Sequence, residues 1–491
     1  MILFVDNHKF HYEMENLCRV FFPHEKITVT HDESIPDTSS VYVKTSLCRG
    51  EQSTEITARV KIDATEKEIT SLVENDIIDY ESECEKIMAQ ALYGCFVQLV
   101  GNVTQWGILT GVRPSKLMNK LIDQNGEEKA KKYFKKELLV SEKKTELAVE
   151  VAEKERDIMA KSRPESFSLY VSIPFCPTRC SYCSFVSHSM AQAKKLLPEY
   201  VELLCKEIEY TGEIAKNLGL RLETIYYGGG TPSILTAEQL LKIGDKIENA
   251  FDLSKVIEYT IEAGRPDTIT KEKLEAMKSI NVSRISINPQ TFNDLSLEAI
   301  GRKHTSQCTL EAFSLARECG FDNINMDLIA GLPLDTLESF DNTLDKIEQL
   351  NPEGVTVHTL ALKRSSTLVT SGQGAEDKGI TPQMVDMAYD RLKKIGYLPY
   401  YMYRQSRCVG NLENVGYSKQ GKEGLYNIFM MEECHSVFAV GAGAVIKLKE
   451  PKGDYIERVF NFKYPYEYIS RFDEILQRKK RIEEFYSDYE Y

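Results

Sequence analysis

Residues 169–185 read LYVSIPFCPTRCSYCSF, an apolar strand followed at once by a loop with three cysteines. Cys176, Cys180 and Cys183 have the spacing C-x3-C-x2-C. Three thiolates this close in sequence can bind one metal centre together. Enzymes built on parallel strands place their chemistry in the loops that leave the carboxyl ends of those strands. The sequence therefore predicts a metal-dependent site on this loop.

Two kinds of metal centre are compatible with these cysteines. Structural zinc takes four ligands from Cys and His, and His188 is available as the fourth. Iron–sulfur clusters are also held by Cys thiolates, usually four. A set of three leaves one iron of a four-iron cluster without a protein ligand. An open position is typical of a catalytic metal rather than a closed structural one.

Around this loop, apolar strand patterns alternate with helical patterns. Such alternation requires parallel strands joined by helical crossovers, which is an α/β fold. About six units of this kind predict a partial barrel, because a complete eight-unit barrel needs more chain. The predicted strands are 169–173, 224–227, 258–263, 284–288, 324–330 and 355–362, and the predicted helices lie near 194–217, 236–249, 270–280, 307–319 and 336–349.

The sequence indicates three regions. Residues 1–165 mix strand and helix patterns and form a predicted α+β domain, which ends in the linker-like KSRPES at 161–166. Residues 166–380 hold the partial barrel. Residues 381–491 are mixed α/β, and we expect them to cover the substrate. The basic run 478–481 within this last region is interpreted as a solvated helix face.

Composition narrows the class of protein. The 491 residues carry a formal charge of −13, with 42% hydrophobic and 27% charged residues, which is wrong for a disordered chain and argues against a generic nucleic-acid binder. The start MILFVDNHKF lacks the basic flank of a signal peptide, and the most apolar later stretch, 91–101, is about half of a membrane span. We therefore expect a cytoplasmic protein without disulfides, in which the other nine of the twelve cysteines are structural thiols.

A C-x3-C-x2-C loop after the first strand resembles the signature of radical S-adenosylmethionine enzymes, and the resemblance covers about residues 168–450. It implies that Cys176, Cys180 and Cys183 hold a [4Fe-4S] cluster whose open iron binds the amino and carboxylate groups of S-adenosylmethionine. An electron then cleaves this cofactor to methionine and a 5′-deoxyadenosyl radical, which abstracts a hydrogen atom from the substrate. One cofactor molecule is expected, and a second is left open.

Further motifs are similar to those of the coproporphyrinogen III dehydrogenase branch of that family. YVSIPFC places Tyr170 near the cluster, and YYGGGTPS is a loop without side chains that would block a ligand. TIEAGRP, INPQTFND, GRKHT and NMDLIAGLP resemble the cofactor-binding segments of the branch. The residues that the resemblance implies in cofactor binding are Gly228, Gly229, Gly230, Thr231, Glu262, Gln290, Arg302 and Asp327.

The first 165 residues and the segment YYMYRQSRCVGNLENVGY resemble the longer, Z-type form of this branch. The implied activity is oxidative decarboxylation of coproporphyrinogen III propionates to vinyl groups, a step of heme biosynthesis. The implied partners are this tetrapyrrole and an electron donor such as flavodoxin or ferredoxin, while the oligomeric state is open. Because the substrate has four carboxylates, arginines are its candidate contacts, namely Arg265, Arg364, Arg404 and Arg407.

The chain departs from the branch at two positions. Phe185 stands where the dehydrogenases carry a further Cys, and Ser172 stands where they carry His. Two alternatives therefore stay open. One is a radical enzyme for another tetrapyrrole task, such as anaerobic heme opening with methyl transfer. The other is a heme-binding or trafficking protein, although the His-Asn-x-x-Tyr-Trp heme motif of that branch is missing and the one Trp is Trp106.

Overall fold

The computed structural model describes residues 1–32, 40–183, 187–362, 379–405 and 407–489. Contacts within these ranges group the chain into two compact units. The first contains Met1–Glu150 and Tyr403–Glu413, and the second contains Val151–Met402 and Asn414–Tyr491. The division into regions 1–165, 166–380 and 381–491 stays a prediction. Two residues that the sequence singles out, Arg364 and Phe185, lie outside the described residues.

The first unit is built on a mixed sheet with strand order β2-β1-β3-β4-β5. β1 is parallel to both of its neighbours, while β3, β4 and β5 form an antiparallel meander. Its strands are β1 Ile2–Asp6, β2 Thr28–Thr30, β3 Val41–Arg49, β4 Ser53–Ile62 and β5 Thr65–Glu74. Its helices are α1 His11–Phe21, α2 Tyr80–Val100, α3 Pro114–Asn125, α4 Glu127–Lys136 and the first half of α5 Glu142–Met159.

A buried polar cluster ties the segment 403–413 into this first unit. Trp106 donates its indole N–H to Glu413 Oε2 at 2.7 Å, and Lys144 Nζ lies 2.7 Å from Glu413 Oε1. Burying a carboxylate is costly unless it is paired and hydrogen-bonded, and here both oxygens have partners. The guanidinium of Arg404 also lies over the Trp106 ring, 5.3 Å from its centroid. The segment is thus an integral part of the unit despite its distance in sequence.

The second unit contains the predicted parallel sheet. Within the described residues the sheet order is β14-β15-β13-β12-β11-β10-β9-β6-β16-β17-β18, and every pair from β13 to β16 is parallel. The strands are β6 Ser166–Ile173, β7 Phe175–Cys176, β8 His188–Ser189, β9 Arg221–Gly229, β10 Glu258–Glu262, β11 Arg284–Ser286, β12 Ile324–Ala330, β13 Gly354–Thr359, β14 Leu398–Arg404, β15 Glu413–Ser418, β16 Ser436–Val440, β17 Val445–Lys449 and β18 Ile456–Phe460.

Helices connect these strands, as the alternating pattern predicts. Helices α8, α9, α11 and α12 each begin after a threonine whose hydroxyl accepts a hydrogen bond from the backbone N–H three residues on, which satisfies an otherwise unpaired donor. The helices are α6 Met190–Ala193, α7 Leu197–Asn217, α8 Ala237–Ala250, α9 Lys271–Ser279, α10 Asp294–Ala299, α11 Ser306–Glu318, α12 Leu337–Leu350, α13 Thr381–Lys394, α14 Leu425–Glu432, α15 Pro465–Ser470 and α16 Phe472–Ser487.

The parallel strands carry apolar side chains on one face and polar side chains on the other. Ser168 and Thr224 contact each other at 2.7 Å between β6 and β9, and Thr356 donates to Asn325 at 3.2 Å between β13 and β12. Side chains two apart on a strand share a face. The predicted cofactor residues Glu262 and Asp327 therefore lie on the polar face of β10 and β12, and the cysteine loop comes after β6 in the chain. None of the described helices is long and apolar enough to cross a membrane.

The basic run 478–481 is not simply a solvated face, and for Lys479 the prediction is wrong. Lys479 is fully buried, with its Nζ 3.1 Å from Glu207 Oε1 on α7, and it donates to the carbonyl of Ala439 at 3.0 Å. A buried ammonium is tolerated because it is paired and hydrogen-bonded. The side chain of Lys479 therefore extends from helix α16 into the interior of the second unit.

Glu207 is the centre of this buried network. Its Oε2 accepts from the Tyr468 hydroxyl at 2.6 Å and from the backbone N–H of Gly441 at 2.8 Å, and its Oε1 accepts from Asn461 at 2.8 Å. Gly441 has φ +95° and belongs to the turn after β16, where a Cβ atom would come within 2.6 Å of the Ser172 carbonyl. The network thus holds this turn against the end of β6, just before the cysteine loop.

Candidate functional site

The three predicted cluster ligands lie on one loop of the second unit. Cys176 ends the short strand β7, and Cys180 and Cys183 follow in a turn closed by a Cys183 N–H to Cys180 carbonyl bond of 3.2 Å. A further backbone bond, from Ser181 N–H to the Ile300 carbonyl at 3.0 Å, fixes the turn from outside. All three cysteines are partly exposed, and no disulfide joins any of the twelve cysteines, each of which lies in a described range.

Two side chains donate towards the sulfur atoms. Thr231 Oγ1 lies 3.4 Å from Cys176 Sγ, and Arg265 Nη1 lies 3.8 Å from Cys180 Sγ and 3.2 Å from Thr178 Oγ1. Asp267 holds the guanidinium of Arg265 with two bonds of 3.0 Å. Hydrogen bonds to sulfur are one way in which a protein supports an iron–sulfur centre. Arg265, predicted as a substrate contact, therefore has the geometry of a residue that supports the cysteine loop.

Arg302 is a second cation at this loop. It is buried, and it donates to the carbonyls of Asn288 at 2.7 Å and Gly264 at 3.4 Å and to the Tyr182 hydroxyl at 3.2 Å. Tyr182 lies between the second and third cysteines. The predicted cofactor residue thus sits against the loop whose cysteines are the predicted cluster ligands.

The donor set fits an iron–sulfur cluster. No three His, Cys, Asp or Glu side chains of the described residues converge on one point as ligands of a single metal ion do. A four-iron cluster does not require its ligands to converge on one point, since each thiolate binds its own iron. This loop carries three partly exposed thiols, and an arginine and a threonine donate towards two of them. Such an arrangement is suitable for binding three irons of one cluster. The ring of His188 instead packs edge-on against Tyr464, with centroids 5.8 Å apart.

The glycine loop after β9 packs directly on the strand that leads into the cysteines. The backbone N–H groups of Gly230 and Thr231 donate to the carbonyls of Ile173 at 2.9 Å and Phe175 at 2.8 Å. A Cβ atom on Gly230 would lie 2.6–2.8 Å from backbone atoms of these two residues, which is closer than real Cβ contacts. Gly229 adopts φ +100°, a conformation that favours glycine. Close backbone approach thus requires glycine at 230 and the positive φ favours it at 229, and the loop places Thr231 beside Cys176.

Replacing Gly230 with Ala is expected to lower the iron bound after anaerobic reconstitution and the thermal midpoint of unfolding. The added methyl group must displace the backbone of Ile173 and Phe175, because a backbone contact cannot rotate away. Gly111→Ala is the matched control, since its nearest neighbour would be a side-chain atom at 3.9 Å. Iron content and midpoint equal to those of the control would contradict the assigned role of Gly230.

Two carboxylates on the polar face differ in their environment. Burial raises the pKa of Glu262 to about 7, against the opposing hydrogen bond from Tyr226, and the Asp327 charge raises it further. Burial also acts to raise the pKa of Asp327, but hydrogen bonds from His358, Asn325 and Thr356 hold it below the ordinary value. Asn325 Nδ2 lies 2.8 Å from Asp327 Oδ1, and His358 Nε2 lies 3.8 Å from Oδ2. Asp327 is therefore ionised at neutral pH, while Glu262 is near its midpoint.

Gln290 is held by its backbone beside Asp327. Its N–H donates to the Asp327 carbonyl and its own carbonyl accepts from Ile329, both at 2.9 Å, and its φ is +70°. A buried non-glycine residue in the left-handed region is a frequent mark of a functional site. The side chain of neighbouring Asn288 also accepts from the Asp327 N–H at 3.3 Å.

Two residues near these carboxylates are absent from the sequence predictions. His358 lies near the carboxyl end of β13, where a parallel sheet carries its chemistry, so its position was a usable signal. Tyr426 comes from helix α14, and its ring stacks on Tyr226 and Tyr170. Tyr170, predicted near the cluster, is buried in this aromatic group, and burial raises its pKa. No sequence pattern links Tyr426 to β9.

Two further predicted substrate arginines, Arg404 and Arg407, lie in the first unit. Arg404 is buried, and its guanidinium donates to the carbonyls of Leu109, Gly111 and Asn411, the last at 3.0 Å. Burial lowers its pKa to about 10. These contacts favour a structural role for Arg404. Arg407 is partly exposed and adopts φ +67°, so its substrate role stays a prediction.

The chain is similar to known proteins in sequence and in fold. A family described as Radical SAM superfamily matches residues 170–347. The oxygen-independent coproporphyrinogen-III oxidase-like protein HemZ of Bacillus subtilis is 34% identical, over 98% of this chain and 97% of its own length. The heme chaperone HemW of Bacillus subtilis is 32% identical, over 56% of this chain and 70% of its own. Among solved structures, coproporphyrinogen III oxidase (HemN) from Escherichia coli, described as a radical SAM enzyme, shares the fold. Its TM-score is 0.50 at 23% identity, over 66% of this chain and 72% of that chain.

Proposed function

Because this chain belongs to the radical S-adenosylmethionine superfamily, in the branch of the oxygen-independent coproporphyrinogen-III oxidase-like proteins, we propose that it oxidatively decarboxylates propionate side chains of coproporphyrinogen III. The cofactors are a [4Fe-4S] cluster and S-adenosylmethionine, which excludes the zinc alternative. The similarity to HemZ over nearly the whole length of both chains is the observation that carries the proposal.

When bound, the cluster and S-adenosylmethionine supply the radical that abstracts a hydrogen atom. Cys176, Cys180 and Cys183 hold the cluster in this proposal, and Thr231 and Arg265 stabilise the thiolates through their contacts of 3.4 and 3.8 Å to sulfur. Hydrogen bonds of this kind are a general means of tuning an iron–sulfur centre.

The carboxylates Glu262 and Asp327 bind and orient S-adenosylmethionine through its hydroxyl or ammonium groups. Ionised Asp327 accepts hydrogen bonds without first releasing a proton, because His358 and Asn325 already hold its charge. Glu262 Oε1 accepts a hydrogen bond from the Tyr226 hydroxyl at 2.5 Å. The buried rings of Tyr170 and Tyr426 exclude water on this side of the polar face, as radical chemistry requires.

Replacing Asp327 with Ala is expected to weaken S-adenosylmethionine binding about tenfold or more, since a hydrogen bond to a charged group is worth about 1.5–3 kcal/mol. Iron content should not change, because Asp327 contacts Asn325 and His358 rather than the cysteine loop. Equilibrium binding to the anaerobically reconstituted protein measures this. The exposed Asp245→Ala variant is the control, and an unchanged dissociation constant for Asp327→Ala would refute its role.

The similarity to the heme chaperone HemW favours a second candidate, a heme-binding protein that keeps the cluster. A third is a radical enzyme that opens heme with methyl transfer. Anaerobic incubation of the reconstituted protein with S-adenosylmethionine and reductant, once with coproporphyrinogen III and once with heme, separates them. Protoporphyrinogen and released carbon dioxide are the expected products. A linear tetrapyrrole from heme, or tight heme binding without either product, would overturn the proposal in favour of the respective alternative.

A further inference from the structure

A glutamate at the start of β10 fixes the first turn of helix α14. Glu258 is buried, its Oε2 accepts from the Leu425 N–H at 2.6 Å, and its Oε1 accepts from the Tyr426 N–H at 3.3 Å. The first N–H groups of a helix lack partners within it and carry partial positive charge, so a carboxylate there is stabilising. The backbone of Tyr426 is therefore held to the parallel sheet by a defined bond.

From this anchored position, the ring of Tyr426 packs on two tyrosines of the sheet. Its centroid lies 4.4 Å from that of Tyr226 with planes 20° apart, and 6.1 Å from that of Tyr170 with planes 16° apart. Offset stacking at such distances adds about 0.5–1.5 kcal/mol per pair beyond burial. Tyr426 thus restricts the ring of Tyr226.

Tyr226 in turn bonds Glu262. Its hydroxyl donates to Glu262 Oε1 at 2.5 Å, and burial together with the carboxylate raises the pKa of Tyr226, so the phenol keeps its proton. Glu258 and Glu262 lie four residues apart on β10, so they share a face of the strand. The contacts run from Glu258 through Tyr426 and Tyr226 back to Glu262, from the first residue of the strand to its last.

We propose that Tyr426 is a positioning residue for the cofactor site, which acts by holding Tyr226 and thereby the carboxylate of Glu262. This inference rests on the proposed role of Glu262 in binding S-adenosylmethionine. It makes helix α14, which lies between strands β15 and β16 in the chain, a part of that site. With Tyr426 removed, Tyr226 can turn about its side-chain torsions, and Glu262 loses the hydroxyl that orients it.

The test measures the S-adenosylmethionine dissociation constant, and its pH dependence, in the reconstituted full-length protein. Tyr426→Leu is expected to raise the dissociation constant about tenfold with iron content unchanged. Tyr426→Phe should retain the native value, because the ring is kept and the structure gives its hydroxyl no part in the chain of contacts. Tyr226→Phe keeps the stacking but removes the bond to Glu262.

The pH dependence gives a signature that lost packing would not produce. The Tyr226 hydrogen bond lowers the pKa of Glu262, while burial and Asp327 raise it and His358 and Arg284 lower it. Without that bond the pKa rises above about 7, so less carboxylate is ionised at neutral pH and the midpoint of binding moves to higher pH. We expect this upward shift in Tyr226→Phe and in Tyr426→Leu, and none in Tyr426→Phe.

Glu262→Gln distinguishes a failure of the proposed role of Glu262 from a failure of the positioning role of Tyr426. An unchanged dissociation constant in Glu262→Gln would refute the proposed role of Glu262 itself. Weakened binding there, with native binding and an unshifted pH midpoint in Tyr226→Phe and Tyr426→Leu, would overturn the positioning role alone. If Tyr426→Leu loses its iron, Glu258→Gln replaces it, since that variant loosens the helix start and keeps the tyrosine. Native binding and an unshifted midpoint in Glu258→Gln would then overturn the inference.

Discussion

Replacing any one of Cys176, Cys180 and Cys183 with Ala is expected to abolish the visible absorption of the reconstituted protein and its cleavage of S-adenosylmethionine. Each thiolate is the sole protein ligand of one iron in the assigned cluster, so no neighbouring side chain can substitute for it. Iron and acid-labile sulfide content, the absorption spectrum and 5′-deoxyadenosine formation together measure the effect. The visible absorption and the formation of 5′-deoxyadenosine should both fall to the level of the protein before reconstitution.

The control for this experiment is Cys205→Ala. Cys205 is buried in helix α7, and burial raises the pKa of its thiol to about 11, which makes it a poor metal ligand at neutral pH. Its replacement should leave the iron content and the spectrum unchanged. A full complement of four irons in any of the three loop variants, or loss of iron in Cys205→Ala, would refute the assignment of the ligands.

Replacing Lys479 with Met is expected to lower the free energy of unfolding by about 3–5 kcal/mol, the usual cost of breaking a buried ion pair from one side. The Glu207 carboxylate would keep Tyr468, Asn461 and the Gly441 N–H as donors but would lose its only cation within 4 Å among the described residues. The midpoint of urea denaturation measures the loss. Exposed Lys480→Met, one residue further along helix α16, is the matched control.

The double variant Glu207→Leu with Lys479→Met tests the cause of this loss. When both charges are removed, neither is left uncompensated, so the double variant should be less destabilised than the sum of the two single variants. A denaturation midpoint of Lys479→Met equal to that of Lys480→Met would show that the pair contributes nothing. A strictly additive double variant would show that the two residues act independently.

The parallel sheet could be predicted from sequence because its signal is local. The strand predicted at 324–330 is observed at the same residues, and those predicted at 224–227 and 355–362 are observed at 221–229 and 354–359. Each buried strand is a short apolar run followed by a helical period, and a chain with that alternation has few other ways to bury its apolar faces. The α/β fold class with a partial barrel is thereby confirmed.

The edges of the sheet could not be predicted in the same way. Strand β16 pairs in parallel with β6, and β15 pairs antiparallel with β13, although both come from the region expected to cover the substrate. These pairings join residues 269 positions apart in one case (Phe167 and Ser436) and 64 positions apart in the other (Gly354 and Ser418), and no local pattern specifies them. The burial of Lys479 could not be predicted for a related reason. Its partner Glu207 lies on another helix, and the basic residues around Lys479 in the sequence suggest exposure to solvent.

The site shows the same contrast. The family resemblance implied that Glu262, Gln290, Arg302 and Asp327 share a site with the cysteine and glycine loops. All of them lie in the second unit, where Arg302 contacts the cysteine loop and Gln290 the backbone of Asp327. The resemblance could not show that Arg265 contacts the cysteine loop rather than solvent, because that contact depends on Asp267 and the loop conformation. Tyr426 was missed because stacking between rings two hundred residues apart leaves no periodicity.

The segment 403–413 also determines the order in which the protein can assemble during synthesis. Trp106 and Lys144 meet their shared partner Glu413 only after 307 and 269 further residues have been added. At about 5–20 residues per second, on the order of tens of seconds therefore pass before Trp106 and Lys144 can contact Glu413. The first unit completes this buried cluster late, after strands β6 to β13 of the parallel sheet have been synthesised.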